Sequence, residues 1–225
     1  ATIQPARCYG LHQLGMIAPG RQADFVILDN VTDLNVTDVY HCGKKIIRDE
    51  KAEIKPCPPY LKNTVHISGF SEERLKLKHP GTKAHVIGML ERQIVTKDMI
   101  EKVPWIEKNG QKFFVSDGEY QKIAVIERHK NTGKMGVGIV KGYGIRGGAI
   151  ASSVSHDSHN IIVVGENDHD MMLAVKELIR DQGGYVLVCD GEIYGTLPLP
   201  VMGLMSDAGY EKVNAAMGRM IPKAH

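Results

Sequence analysis

Hydrophobic positions change their spacing several times along the chain, and each change predicts an element. Residues 2–11 read as the last turns of a helix, with Gly10 as a C-terminal stop. From Ala23 the apolar runs become short and alternate with polar positions. DFVILD over 24–29 predicts a buried strand. Residues 36–42 predict a second strand, and Gly43 a turn into a third over 44–48. Three short strands make a thin sheet, and a sandwich needs a second face. The abrupt start and the missing face lead us to expect a piece of a longer protein.

KPCPPY, with prolines at 56, 58 and 59, marks a domain boundary. Beyond it, 65–67, 84–90, 112–116 and 122–128 read as strands and 72–77 as a short helix. Asn131 and Gly133 signal a turn. Residues 149–154 and 161–164 are apolar, strand-like runs. Residues 168–181 give the clearest helix. Met171, Met172, Val175, Leu178 and Ile179 share one face, Asn167 or Asp168 serves as cap, and Gly183-Gly184 as stop. Residues 185–189 and 192–195 flank Asp190-Gly191, a hairpin dipeptide. A final helix is expected over 208–220, ending before Pro222. The fold class expected is α+β: a partial β-sandwich segment in domain 1–58, then a mixed α/β C-terminal domain over 59–225.

Lys and Arg number 28 and Asp and Glu 26, a net charge of +2. This near balance gives no electrostatic case for a nucleic-acid or acidic-membrane partner. No apolar run approaches the roughly 20 residues of a membrane span. Cys8, Cys42, Cys57 and Cys189 follow no CxxC spacing. Reduced, mostly buried thiols in a cytoplasmic protein are therefore expected.

The densest chemistry is Ser155-His156-Asp157-Ser158-His159-Asn160, set between two apolar strands. Polar groups so placed must bond each other, water or a ligand. Three readings stay open: a self-satisfied polar turn, a metal site recruiting Asp157, His169 and Asp170, or a substrate-facing loop. KGYGIRGG over 141–148 lacks the strand–turn–helix setting of a dinucleotide fingerprint, so its glycines read as turn formers. In LPLPVMGLMSD over 197–207, Met202, Leu204 and Met205 suit an apolar pocket wall. Ser206 and Asp207 either face that pocket or cap the last helix. The histidines at 12, 41, 66, 79, 85, 129 and 225 stand alone and read as surface or core residues.

Five segments carry a resemblance. ATIQPARCYGL with GMIAPGRQADFVILD is similar to the segment that follows the barrel in the amidohydrolase superfamily. GAIASSVSHDSHNIIVVGENDHDMMLAV, GGYVLVCDGEI and LPLPVMGLMSD resemble the C-terminal domain of the adenine deaminase family. The resemblance implies a cytoplasmic hydrolase of purine salvage, with adenine as substrate. It implies a divalent metal (manganese, iron or zinc), homo-oligomeric assembly and a partner barrel. That barrel would supply the metal ligands and the general acid/base, so no catalytic or metal-binding residue is assigned in this chain. The substrate-proximal candidates are His156, Asp157, His159 and Asn160, and more weakly Ser206 and Asp207. This portion would cover or complete the site and be inactive alone. The alternatives are an assembly module without substrate contact and a stand-alone metal-binding protein.

Overall fold

The structure, a computed structural model, describes residues 2–46, 56–78, 81 and 83–224. The architecture is α+β and divides into two compact units, Ala1–Lys55 and Pro56–His225.

The first unit holds helix α1 (Ile3–Cys8) and a three-stranded antiparallel sheet, β1 (Phe25–Leu28), β2 (Val36–His41) and β3 (Lys44–Ile46). Phe25 and Tyr40 pair across β1 and β2, their rings stacked at 4.6 Å. The strand expected at 24–29 forms, but it is not buried: Val26 is 52% and Ile27 42% exposed. Phe25, Leu28, Asp38 and Tyr40 are half-buried, and the other positions of β1 and β2 face water. The end of the third expected strand, 47–48, lies outside the described residues.

The second unit is built on an eight-stranded sheet. Its strands are β4 (Ala84–Met89), β5 (Thr96–Glu101), β8 (Tyr120–Ile126), β9 (Met135–Lys141), β10 (Gly148–Ser152), β11 (Ile161–Gly165), β12 (Gly184–Cys189) and β13 (Glu192–Pro198). Their order is β13-β12-β10-β11-β8-β9-β4-β5. The pairings are antiparallel except for β4 with β9, which run parallel. A separate hairpin joins β6 (Trp105–Lys108) to β7 (Gln111–Phe114). Two 3₁₀ turns, Pro59–Leu61 and Glu72–Leu75, stand where a break and a short helix were expected.

Helix α2 (Asp168–Arg180) covers the sheet through Met171, Ala174, Val175 and Leu178, all fully buried. They pack with Ala124, Ile126, Ala149, Ala151, Ile161, Val163, Val186 and Val188. These sheet residues alternate along their strands, as a pleat with one covered face requires. Each large apolar side chain so buried contributes about 1.5–3 kcal/mol. The Asn167 side chain accepts the Asp170 N–H at 2.8 Å and caps the helix. Asp170 is itself buried and accepts the Gly191 N–H at 2.9 Å, which ties the helix to the β12–β13 turn. At the other end the Gly183 N–H donates to Leu178 O at 2.9 Å. Gly183 has φ +110°, and a Cβ there would lie 2.4 Å from Gly203 Cα, so no other residue fits.

Several expectations need correction. Residues 65–67 form no strand. Val65 N–H donates to Gln182 Oε1 and His66 N–H to Arg128 O, which satisfies that backbone without a ladder. Helix α3 (Tyr210–Ala224) starts later than expected and runs past Pro222. The proline sits in the exposed final turn, where water can take up the Gly218 carbonyl that its missing N–H leaves unbonded. Strands β5, β6 and β9 had no clear signal: β5 and β6 are mostly exposed, and Gly136 and Gly138 interrupt β9. The thiols are free but not mostly buried. Cys8 and Cys42 are exposed, and Cys57 and Cys189 half-buried. Of the lone histidines, His79 and His225 lie outside the described residues.

Candidate active-site rim

Residues 155–160 leave the end of β10 and return into β11, so β10 and β11 set both ends of the loop. The Ser155 carbonyl accepts the His159 N–H at 2.6 Å. The His156 and His159 rings meet edge to face, 5.4 Å apart. His156 and Asp157 are exposed, whereas His159 and Asn160 are half-buried. Two of this loop's atoms, His159 Nδ1 and Asn160 Oδ1, are buried without a hydrogen-bond partner. Such atoms are uncommon in folded proteins, where water commonly satisfies them.

His159 borders a recess of about 310 Å³, which Thr64, His66, Arg128, His129, Met202 and Leu204 also line. Three chain segments that are distant in sequence therefore meet the 155–160 loop. His129 Nε2 lies 2.9 Å from Ser158 O. Arg128 lies at the floor, 1% exposed. It follows directly on β8 and gives its side-chain donors to three carbonyls: His159 O at 2.5 Å, Met202 O at 2.9 Å and Thr64 O at 3.1 Å. Burial pushes the guanidinium below its ordinary pKa. The preceding residue, Glu127, accepts N–H bonds from Thr132, Lys130 and His129 and the Thr132 hydroxyl. Those donors, Thr132 and Lys130 foremost, lower its carboxyl to about 2.

Residues 197–207 border the recess through Met202 and Leu204, while Met205 is exposed. The loop is held from two sides. Met202 N–H donates to Leu61 O at 2.7 Å, and the buried Ser153 hydroxyl donates to Gly203 O at 2.5 Å. Ser206 and Asp207 do not line the recess. Ser206 Oγ accepts the Ala208 N–H at 3.1 Å, and Asp207 pairs with Lys62 at 2.6 Å. That pairing holds the Asp207 carboxyl below its usual range.

The metal reading of the histidine loop finds no geometric support. His169 faces Glu72 at 3.9 Å, and Asp170 is taken up by the helix cap. Among the described residues, Asp24, His41 and Cys42 form the group whose ligand atoms lie within 4.8 Å of one another. Its Asp24 carboxylate already accepts from Cys42 N–H and Gln22 Nε2, and all three residues are exposed. Among the described residues, the ring nitrogens of His66, His129 and His159 around the recess do not gather within 4.8 Å of one another.

Thr64, His66, Arg128 and His129 escaped the sequence reading. For Arg128 and His129 the one sequence signal is Glu127-Arg128-His129, a charged triplet directly after the apolar end of strand 120–126; Thr64 and His66 carry none.

Comparison with known proteins gives the family of the chain. Residues 1–102 match the amidohydrolase family. Residues 93–225 match the family described as adenine deaminase C-terminal domain, and the chain belongs to that family. The chain is similar to the adenine deaminase of Desulfitobacterium hafniense, 47% identical over 225 residues, which is all of this chain and 39% of that protein. It is similar to that of Nitratidesulfovibrio vulgaris, 42% identical over 228 residues, with the same coverage of 100% and 39%. The adenine deaminase of Clostridium acetobutylicum is 41% identical over 231 residues, covering 100% of this chain and 40% of that protein. The chain thus spans about two fifths of the length of these curated relatives.

Proposed function

We propose that this chain is the C-terminal portion of an adenine deaminase and forms part of the rim of its active site. The reaction is hydrolytic: water adds at purine C6, the exocyclic amine leaves as ammonia, and adenine becomes hypoxanthine. On this reading the divalent metal that the amidohydrolase family implies belongs to the part of the enzyme outside this chain. A cytoplasmic role in purine salvage and homo-oligomeric assembly follow from the same reading.

The residues of this chain bind, orient and exclude water. His159 and Asn160 offer polar atoms to a purine edge, His156 stands against His159, and Asp157 is free to orient a histidine. Met202 and Leu204 supply the apolar wall that a flat heterocycle needs. The observation that carries the reading is that His159 of this loop lines a recess of about 310 Å³ together with Thr64, His66, Met202 and Leu204.

The test is made in the intact deaminase. His156→Ala, His159→Ala and Asn160→Ala are assayed for conversion of adenine to hypoxanthine. At least one is expected to lower kcat/KM by roughly tenfold or more, the worth of a hydrogen bond made to substrate. Unchanged kcat and KM in all three would remove the loop from the site.

One observation favours a second reading, an assembly module that docks without touching substrate. The first unit exposes Val26, Ile27, Val36, Val39 and Ile46 on one small sheet. The same three variants separate the readings, because assembly alone does not depend on His159 or Asn160.

A further inference from the structure

Arg128 is a buried cation that forms no ion pair among the described residues; its partners are carbonyls. Taking a charge out of water without a counter-charge is costly, so a residue that served only to fill space would better be neutral. What the guanidinium offers instead is a rigid fork of donors. Here the fork reaches carbonyls 31, 64 and 74 residues away in sequence. Its own carbonyl accepts the His66 N–H at 2.8 Å, so the segment at 64–66 is held twice. The loop at 202–203 is shaped to admit it. A Cβ on Gly203 would stand 2.8–3.0 Å from Nη1, Cζ and Nη2, and Gly203 has φ +71°. The Gly203 backbone therefore lies against the guanidinium itself, an approach that only glycine permits.

We propose that Arg128 is the positioning residue of the purine-facing rim, holding residues 64–66, His159 and Met202-Gly203 in one arrangement around the recess. The inference rests on the reading of the 155–160 loop as substrate-proximal. Arg128 touches no reacting atom. It acts through the backbone of His159, which sets where that imidazole points, and through that of Met202, which sets the apolar wall.

Two readouts on the intact deaminase test this separately. The first is amide hydrogen exchange of Arg128→Ala and Arg128→Lys. Residues 155–160 and 201–205 are expected to exchange roughly tenfold faster or more, while α2 and β10–β12 keep their protection. Lysine is expected to fail as alanine does, because one ammonium cannot span three carbonyls. The second is turnover of adenine, with added guanidinium ion. Arg128→Ala is expected to lose roughly tenfold or more in kcat/KM and to regain part of it with guanidinium. His159→Ala is expected to show no such rescue.

Should Arg128→Ala fail to fold, Gly203→Ala serves in its place, since it displaces the fork without removing the charge. It is expected to loosen the same two loops. Unchanged loop exchange in the folded variant, or full function with lysine, would overturn the positioning role. Loosened loops with unchanged turnover would uphold the hub and overturn the substrate-proximal reading instead.

Discussion

The ammonium of Lys122 on β8 is paired with the carboxylate of Asp168, the first residue of α2, although 46 residues separate them. The Lys122 side chain is 8% exposed and that of Asp168 21%. The pair sits where the helix N-terminus also favours an anion, so Asp168 is held by two attractions at once. Removing one partner leaves the other partly buried charge uncompensated. Asp168→Asn is expected to cost about 2–3 kcal/mol in urea denaturation, below the roughly 3–5 kcal/mol of fully buried pairs because Asp168 keeps some contact with water. The double variant Lys122→Met, Asp168→Asn is expected to cost clearly less than the two single losses added together. Strict additivity would show that the pair has no coupling.

Glu127 gives a pH dependence with a definite sign. Its carboxyl is lowered to about 2 by N–H donors of the 129–132 turn. The unfolded chain therefore binds a proton there before the folded one does. Its contribution to stability is present above the ordinary value of 4.5 and is lost as pH falls toward 2. Glu127→Gln is expected to flatten the fall in stability over that window and to leave the behaviour above pH 6 parallel to the parent. Identical acid profiles for the two would sink this assignment.

Helix α2 allows its core and its cap to be weighed against each other. Leu178 is fully buried, and Leu178→Ala is expected to cost about 3 kcal/mol through lost burial and the cavity left behind. Asn167→Ala removes the cap on Asp170 N–H and is expected to cost about 1 kcal/mol. Thermal or chemical denaturation reads both. A cap loss as large as the core loss would mean that Asn167 does more than cap.

The first unit leaves Val26, Ile27, Val36, Val39 and Ile46 in contact with water. Apolar side chains gathered on one small sheet promote association. The 225-residue chain by itself is expected to self-associate, and Val26→Lys to reduce this. Light scattering that reports a monodisperse monomer at all concentrations would contradict it.

Legibility tracked how local the deciding physics was. Helix α2 was readable because its apolar spacing, its Asn167 cap and its Gly183-Gly184 stop agree within eighteen residues. The β12–β13 hairpin was readable because Asp190 and Gly191 both take positive φ, as their types allow. Strand β9 was not, because Gly136 and Gly138 dilute its pattern, and it forms because β8 and β4 pair with it on either side. The 155–160 loop stood out through polar density between apolar runs. His66 and His129 did not, since an isolated histidine carries no local mark of what it faces.

What the residues determined by themselves was the set of elements with a strong period or turn, and the loop where polar residues gather between apolar runs. The tertiary structure alone decided that Arg128 is buried and that Thr64, His159 and Met202 converge on it. It also decided that Ser206 and Asp207 turn to other partners. The physical reason is range. Periodicity and capping act over a few residues of backbone, whereas a buried cation is satisfied only by carbonyls that folding brings from distant parts of the chain.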